Sequence, residues 1–458
     1  MIFQDMCLDS RDFNRVRKST YLEKNRCAEI EYFIKIWHIK YKKKMKDYKY
    51  HIGIKGKLYL SNQKKHIVAL NDGASRYVYN HLVATNNEKY FINQTAKYVP
   101  CYQERLEYLN SVTDARGIKN SAPFLYEKDI DSSAIDNAIK NYHEAWEDYK
   151  ITHCKPVFHK KGYTQSYQTC NHYKGGSTHM NDGSIRFEDN HHIILPLLGR
   201  VRIGISPNLI KQLNSRTAET RIGIATISRD AVGEYWFSLQ MASDEPFREE
   251  LKHTGCCAGI DLNLDNFLTD SNNVVIDNPR FLKEAEKKLA KEQRKLSRRM
   301  EQAKKDGKNL HDAKNYQKQR QKVAFLQRKV ARQRNDFQHN LSKDYIENQD
   351  IIAAEDLKVR NLKKNHKLAK AISDAGWRSF LTKLQYKGDL YNKQVILIDP
   401  KNTTQMCSSC GYVMKGEEKL TLADREWTCP HCGTYHIRDH NAAKNILARA
   451  LSSISSAT

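Results

Sequence analysis

YHIGIKGKLYL (50–60) alternates apolar and polar residues with the period of two of a half-buried strand. The period then lengthens to threes and fours. Ser61 followed by NQKKHIVALNDGASRYVYNHLVATN predicts a helix over 61–86 with the serine as its cap. SSAIDNAIKNYHEAWEDYK (132–150) places Ile135, Ile139, Tyr142 and Trp146 on one helical face. From about residue 155 to 250 the runs HHIILPLL, GRVRIGI, TRIGIATISR and YWFSLQMA, separated by turn formers, predict a small sheet or barrel. After 255 the pattern changes again. GCCAGIDLNLDNFLTDS reads as an apolar strand ending in Asp261, a tight connection and a second strand. IIAAEDL (351–357) is an unbroken apolar strand of the buried kind, ending in Glu355, and QVILIDP (394–400) is another. A helical stretch, ISDAGWRSFLTKLQYKGDLY, lies between them. Strands alternating with helices predict an α/β layer, and the whole chain a multidomain α/β protein.

Charge adds what hydrophobicity does not show. Residues 280–344 hold 21 Lys and Arg against 8 Asp and Glu, so this segment carries +13 of the formal +24. Its second half spaces Tyr316, Val323, Leu326, Val330, Phe337 and Leu341 as one apolar seam with a basic outer face, and GKN (307–309) breaks the segment into a predicted helical hairpin. A face so one-sided in sign repels itself unless it lies along phosphates, which makes Arg294, Arg298, Arg299, Lys322, Arg328 and Arg332 candidate nucleic-acid contacts. The chain has 458 residues with 40% hydrophobic content, enough for about three cored domains. Residues 1–48 are basic and aromatic, and read equally as a solvated extension or as an arm touching RNA or DNA. The opening MIFQDMCLDSRDF lacks the regions of a signal peptide and no apolar run reaches spanning length. The expectation is an intracellular, prokaryotic, nucleoid-associated protein with no membrane partner.

Eleven cysteines fit a reducing compartment. Seven are scattered (Cys7, Cys27, Cys101, Cys154, Cys170, Cys256, Cys257) and are expected as small buried apolar residues. Cys407-x2-Cys410 and Cys429-x2-Cys432, eighteen residues apart, match four-thiolate zinc spacing, with Gly411 and Gly433 suited to the knuckle turns. Such a closed site is structural. Three acids have a different context: Asp261 and Glu355 end buried strands and Asp439 opens the helix HNAAKNIL. Singly, each has a plain explanation: a turn with Asn263, a strand-end charge, a helix N-cap. Together they can converge at one sheet edge and bind hard cations such as Mg2+, two of which support phosphodiester hydrolysis.

GIDLNLDNFLTDS, EDLKV, ISDAGWRSFLTKLQYK, the CxxC pairs and RDHNAAKNIL occur in the order found in TnpB-type proteins, the transposon-encoded OrfB family related to type V CRISPR effectors. The chain resembles that family over roughly residues 50–450. The resemblance implies an RNase H-like RuvC nuclease domain (253–400 and 437–451) with an inserted zinc ribbon (401–436). It further implies a β-barrel wedge domain (50–60 and 151–252) with an inserted helical recognition domain (61–150). A basic extension (1–49) and a disordered tail (452–458) complete the expected layout. By motif position Asp261, Glu355 and Asp439 correspond to the catalytic triad, with Asp261 on both Mg2+ ions and the others on one each. Cys407, Cys410, Cys429 and Cys432 correspond to the zinc ligands. The implied activity is RNA-guided cleavage of double-stranded DNA beside a short motif, with a structured guide RNA and target DNA as partners. The chain departs from the family at Ile437, where many members carry a further Asp, and residues 1–48 have no clear counterpart. Two rival readings are a nuclease-silent RNA-guided regulator and a transposase acting directly on transposon ends. Short length favours the transposon form or a very compact effector.

Overall fold

The computed structural model describes residues 45–455, apart from 96–99, 175–176, 178, 218, 363 and 422. The predicted basic extension thus lies outside the described residues up to position 44. Among the described residues no helix is long and apolar enough to cross a membrane. The chain forms two compact units. The first comprises the described residues up to Ser228 together with Tyr235–Glu245, and the second Arg229–Glu234 and the described residues from Pro246 onward.

In the first unit β1 (Tyr50–Tyr59) leads into α1 (Asn62–Thr95). Ser61 caps this helix, its Oγ accepting from the Lys64 amide at 3.3 Å. The helix runs nine residues past the expected end at 86, because no Gly or Pro interrupts 87–95 and Ile92 finds a buried place. There follow α2 (Pro100–Ser111), α3 (Ala115–Ser121) and α4 (Ser132–Thr152). Ile135 and Tyr142 are buried and Ile139 and Trp146 pack beside them against Val78, Leu82 and Ile118, the face the sequence spacing predicts. Asp131 caps α4 by accepting from Ser133 N and takes a second bond from the Thr169 hydroxyl. Thr169 lies in β2 (Gln165–Cys170), so the cap also ties helix to sheet.

The rest of this unit is β3 (Arg186–Asp189), β4 (His192–Leu195), β5 (Gly199–Gly204), α5 (Pro207–Asn214), β6 (Thr220–Arg229) and β7 (Tyr235–Ser243). They make a seven-stranded sheet of order β2-β6-β7-β1-β5-β4-β3. At Gly56 a Cβ would stand 2.5 Å from the Phe237 ring, which lies directly across the strand pair. Only glycine admits that ring.

The second unit is built on a five-stranded sheet of order β10-β9-β8-β11-β12. Its strands are β8 (Cys257–Asp261), β9 (Asn266–Asp270), β10 (Val275–Asp277), β11 (Ile351–Glu355) and β12 (Gln394–Ile398). β8, β11 and β12 run parallel, while β9 and β10 are antiparallel to their neighbours. Between β10 and β11 stands the basic hairpin, α6 (Phe281–Lys305) and α7 (Lys314–Asn348). Gly307 makes the turn between them at φ +64°. Then come α8 (Val359–Leu362), α9 (His366–Ala375) and α10 (Trp377–Tyr391), and after β12 the short strands β13 (Glu426–Thr428) and β14 (Tyr435–Ile437) and the closing helix α11 (Arg438–Ser455).

Alternation along β11 assigns the two faces of this sheet. Ile352 and Ala354 join Ile260, Phe267, Phe380 and Leu384 in one core, with Phe267 edge-to-face against Phe337 and Phe380. Ala353 faces the other way, onto Ile446 and Ala450 of α11. That helix lies very close to the sheet: a Cβ at Gly259 would stand 2.2 Å from the Ala443 carbonyl oxygen.

Two expectations need correction. α11 continues to Ser455, so 452–455 are helical and not the start of a disordered tail. The Ser453 and Ser455 hydroxyls bond back to the carbonyls of Ala450 and Leu451, which lets serine continue the helix. The scattered cysteines are also less buried than expected. Cys101, Cys154 and Cys256 are exposed, and Cys170 and Cys257 partly so. The thiols of Cys154 and Cys256 sit outside the apolar faces and donate to the carbonyls of Thr152 and Thr254. Cys7 and Cys27 lie outside the described residues.

Candidate active site

The four paired cysteines form two copies of one turn. Gly411 N donates to Cys407 O and Cys407 N to Tyr412 O; Gly433 N donates to Cys429 O and Cys429 N to Thr434 O. Each turn needs its glycine, with φ at +76° and +70°. The sulfurs of Cys407 and Cys432, and of Cys410 and Cys429, lie 3.7 Å apart. Four thiolates at zinc–sulfur distances of about 2.3 Å around a tetrahedral ion have S–S edges of about 3.8 Å, so the cluster suits structural zinc without rearrangement. Among the described residues these four are the set of His, Cys, Asp or Glu side chains whose donor atoms all fall within 4.8 Å. Cys407 and Cys429 are buried, and His436 stands with Nε2 3.0 Å from the Cys407 sulfur. Hydrogen bonds with Thr434 pull the Cys432 thiol down to about 6, while burial and the neighbouring thiols push Cys410 up to about 12.

Strand register brings two of the three acids together. In the parallel pair of β8 and β11, Ile260 is opposite Ala354, so Asp261 and Glu355 follow side by side at the carboxyl ends of adjacent strands. The close seat of α11 at Gly259 brings the third, Asp439, to the same edge. Asp261 and Glu355 are both buried. Burial, and then the negative charges of Glu355 and Asp439, push the Asp261 carboxyl well above its ordinary range. Glu355 is also raised by burial, opposed by a hydrogen bond of 2.5 Å from the Thr403 hydroxyl. The three carboxylates do not close to the 4.8 Å of the cysteine cluster.

Asp439 is the second residue of α11, since β14 ends at Ile437 and the helix begins directly at Arg438. The N-cap reading is therefore overturned: strand passes straight into helix and leaves no capping position for the acid. Its carboxylate still lies at the positive end of the helix. Two arginines that the sequence reading missed attend it. Arg438 lies 3.2 Å from Oδ1, and Arg425 stands 3.7 Å from Oδ2 while also pairing with Asp265. The Arg425–Asp265 pair joins positions 160 apart, so no local pattern announces it.

The six candidate basic residues divide. Arg328 is committed to Asp230 and Glu234, at 2.9 and 2.7 Å, and Arg299 to the Asn315 carbonyl across the hairpin. These two guanidiniums have protein partners in this structure. Arg294, Arg298, Lys322 and Arg332 stand exposed, with Arg332 3.4 Å from Glu234.

Two family models match the chain in succession. Residues 238–366 match one described as "Probable transposase", of the OrfB type, and 377–446 match "Cas12f1-like, TNB domain". Between them they contain all three acids and all four paired cysteines. A Streptomyces pristinaespiralis protein named "Putative RNA-guided DNA endonuclease" is 37% identical over 227 residues, 49% of this chain and 52% of that one. The chain thus matches about half the length of that relative. The Escherichia coli protein of the same name, InsQ, is 26% identical over 82% of this chain and 86% of its own. The mimivirus "TnpB-like protein L79" is 30% identical over 26% of this chain and 23% of its own. Among solved structures, the "Cas12f1-sgRNA-target DNA complex" covers 87% of this chain and 98% of its own at 14% identity and a TM-score of 0.45. With the OrfB and TNB segments adjoining in order, the chain is similar to TnpB-type OrfB proteins over residues 238–446, the stretch that holds the three acids and the four paired cysteines.

Proposed function

We propose that this protein is an RNA-guided DNA endonuclease whose chemistry is metal-assisted phosphodiester hydrolysis at Asp261, Glu355 and Asp439. The observation that carries the reading is the meeting of three carboxylates at the carboxyl edge of one sheet, two of them buried and, among the described residues, without a lysine or arginine hydrogen-bonded to either. Such a set is unstable as anions alone and has the all-oxygen donor chemistry that Mg2+ takes. Mg2+ would be held by Asp261, Glu355 and Asp439, and bound there it supplies a water of lowered pKa and charge stabilisation of the leaving oxygen. The chain contributes the fixed spacing of the acids, the exclusion of bulk water from Asp261 and Glu355, and the arginines beside Asp439.

The sheet order, counted along the second unit as 3-2-1-4-5 with the second strand antiparallel, supports an RNase H-like, RuvC-type reading of 253–400 and 437–451. The seven-stranded sheet with helices inserted after its first strand supports the wedge and recognition assignments in the first unit. The names of the Streptomyces and Escherichia coli relatives support guide RNA and target DNA as partners. The exposed Arg294, Arg298, Lys322 and Arg332 are offered as phosphate contacts.

The description of the 238–366 match supports a second reading, a transposase acting on transposon ends without a guide. One experiment separates them. The protein is expressed with its native flanking DNA, purified, and its bound RNA sequenced; it is then offered matching DNA in Mg2+ or EDTA. A discrete RNA with a constant scaffold and a variable end, and Mg2+-dependent cutting directed by that end, is the expected outcome. Random RNA, with binding to transposon ends alone, would transfer the reading to the transposase.

A further inference from the structure

Residues 399–408 join β12 to the first cysteine turn, and one face of α11 holds them by side-chain hydrogen bonds. Asn441, Asn445 and Arg449 stand at i, i+4 and i+8, one above the other on the helix. Arg449 Nη1 donates to the carbonyls of Asp399 and Lys401 at 2.7 and 3.0 Å. Asn445 Nδ2 donates to Thr403 O and Met406 O at 2.9 and 2.6 Å. Asn441 Nδ2 donates to Met406 O at 2.7 Å, and its Oδ1 accepts from Ser408 N at 2.8 Å. Both asparagines are buried, so an apolar side chain at 445 would leave the Thr403 carbonyl unpaired, and one at 441 the Ser408 amide.

This ladder fixes Thr403, which is 2% exposed. Its Oγ1 lies 2.5 Å from Glu355 Oε1, with the Pro400 carbonyl at 3.1 Å as the other acceptor in reach. One hydroxyl proton serves one acceptor at a time, and an ionised carboxylate is the stronger. The bond orients Glu355 and leaves its second oxygen to other partners. Four residues further along, the same segment becomes the Cys407 turn, and the same helix carries Asp439 in its first turn.

We propose that Thr403 is a positioning residue of the acidic site, fixing Glu355 for cation binding, and that the Asn441–Asn445–Arg449 ladder makes this placement depend on the zinc-binding turn at Cys407. The inference rests on the reading of the three acids as a cation site. It adds a hydroxyl between the two metal chemistries of the chain, so the ribbon is more than a structural appendage.

The test is Mn2+ binding to the purified full-length chain, by calorimetry and by electron paramagnetic resonance, with Asp261→Ala defining the signal that belongs to the acidic site. Thr403→Val keeps the shape and removes the hydroxyl. It is expected to weaken the Asp261-dependent Mn2+ binding by about 10-fold or more, the scale for losing a partner of a metal ligand. Thr403→Ser is expected to stay within about 3-fold of the parent, and both should retain one zinc per chain and the parent melting temperature. Unchanged Mn2+ affinity in Thr403→Val, or an equal loss in Thr403→Ser, overturns the positioning role. Zinc-stripped parent protein is expected to show the loss seen in Thr403→Val; full affinity without zinc overturns the dependence on the ribbon. This arm also carries the proposal if Thr403→Val lowers the melting temperature. Mn2+ binding that Asp261→Ala leaves intact would instead overturn the cation-site reading itself.

Discussion

Strand β11 has a carboxylate at each end, and the two are placed in opposite circumstances. Asp350, just before its first residue, accepts from the amides of Thr254 and Gly255 at 2.9 and 2.7 Å and pairs with Lys393, whose side chain is buried. The Lys393 bond, then the amides, hold the Asp350 carboxyl well below the usual carboxylate range. Glu355, its last residue, is raised by burial and stands beside Asp261, which is raised further by Glu355 and Asp439. One end is satisfied by the fold, and the other is left with an excess of negative charge. In open α/β sheets ligands gather outside the carboxyl ends of parallel strands, and here the electrostatics separate the same two ends. The entrance of the strand contributes stability; the exit gives some up, a cost that a bound cation would remove.

Substitutions at the exit have the largest expected effect on function. Asp261→Ala or Glu355→Ala should lower DNA cleavage on the order of 10^4-fold, as for groups acting as a unit, while the co-purifying RNA is retained. Undiminished cutting by either variant in Mg2+ would remove the acids from the mechanism and the comparison with them.

At the entrance the expected effect is on stability alone. Asp350→Ala leaves the Lys393 ammonium buried without a counter-charge and should lower the melting temperature by roughly 5 °C or more, with cleavage at a permissive temperature within about 3-fold of the parent. A variant that melts normally but cuts poorly would mean that the two ends are not separable.

A smaller effect sharpens the contrast by its sign. Asp261→Asn in EDTA should raise the melting temperature, by about 2–4 °C, and saturating Mg2+ should cancel the gain by stabilising only the parent. The folded pKa of Asp261 is raised, so folded protein keeps a proton that the unfolded chain gives up, and parent stability falls as pH rises from about 4 toward that folded pKa. The advantage of Asp261→Asn therefore grows with pH over that window. Asp350 behaves inversely. Its pKa is depressed, so its contribution is complete above about 4 and is lost as pH falls toward the folded value. Melting curves of both variants from pH 3 to 8 read the two signs side by side.

Much of this was legible because it is local. The CxxC turns carry their own glycines, and the amide pattern at Cys407 repeats at Cys429 within six residues of chain. The strands ending in Asp261 and Glu355 announce themselves by four apolar or small residues before each acid. The face of α4 and the break at Gly307 follow from spacing alone. Asp439 shows where that reach ends. An acid before an Ala-rich helix looks like a cap, yet the β13–β14 hairpin delivers the chain directly into α11 and shifts the acid into the first turn. Arg328 shows the same limit for charge: a basic face on a helical wheel gives no sign of Asp230 and Glu234, about a hundred positions away, that hold this guanidinium.

By itself the sequence determined the two paired cysteine turns, the strand-end placement of two acids, the basic hairpin and the family resemblance, because each depends on neighbours within one turn, one strand or one motif. The tertiary structure alone decided that the three carboxylates share an edge. That required parallel register between β8 and β11, and a helix seated against Gly259 where no side chain keeps it away. It alone also placed Thr403 on Glu355, Asn445 on Thr403, and Arg425 between Asp265 and Asp439. Hydrogen bonds and ion pairs act over a few ångströms of space, whatever the distance along the chain, and residues from 42 to 160 positions apart meet here only after the sheet and its covering helix have formed.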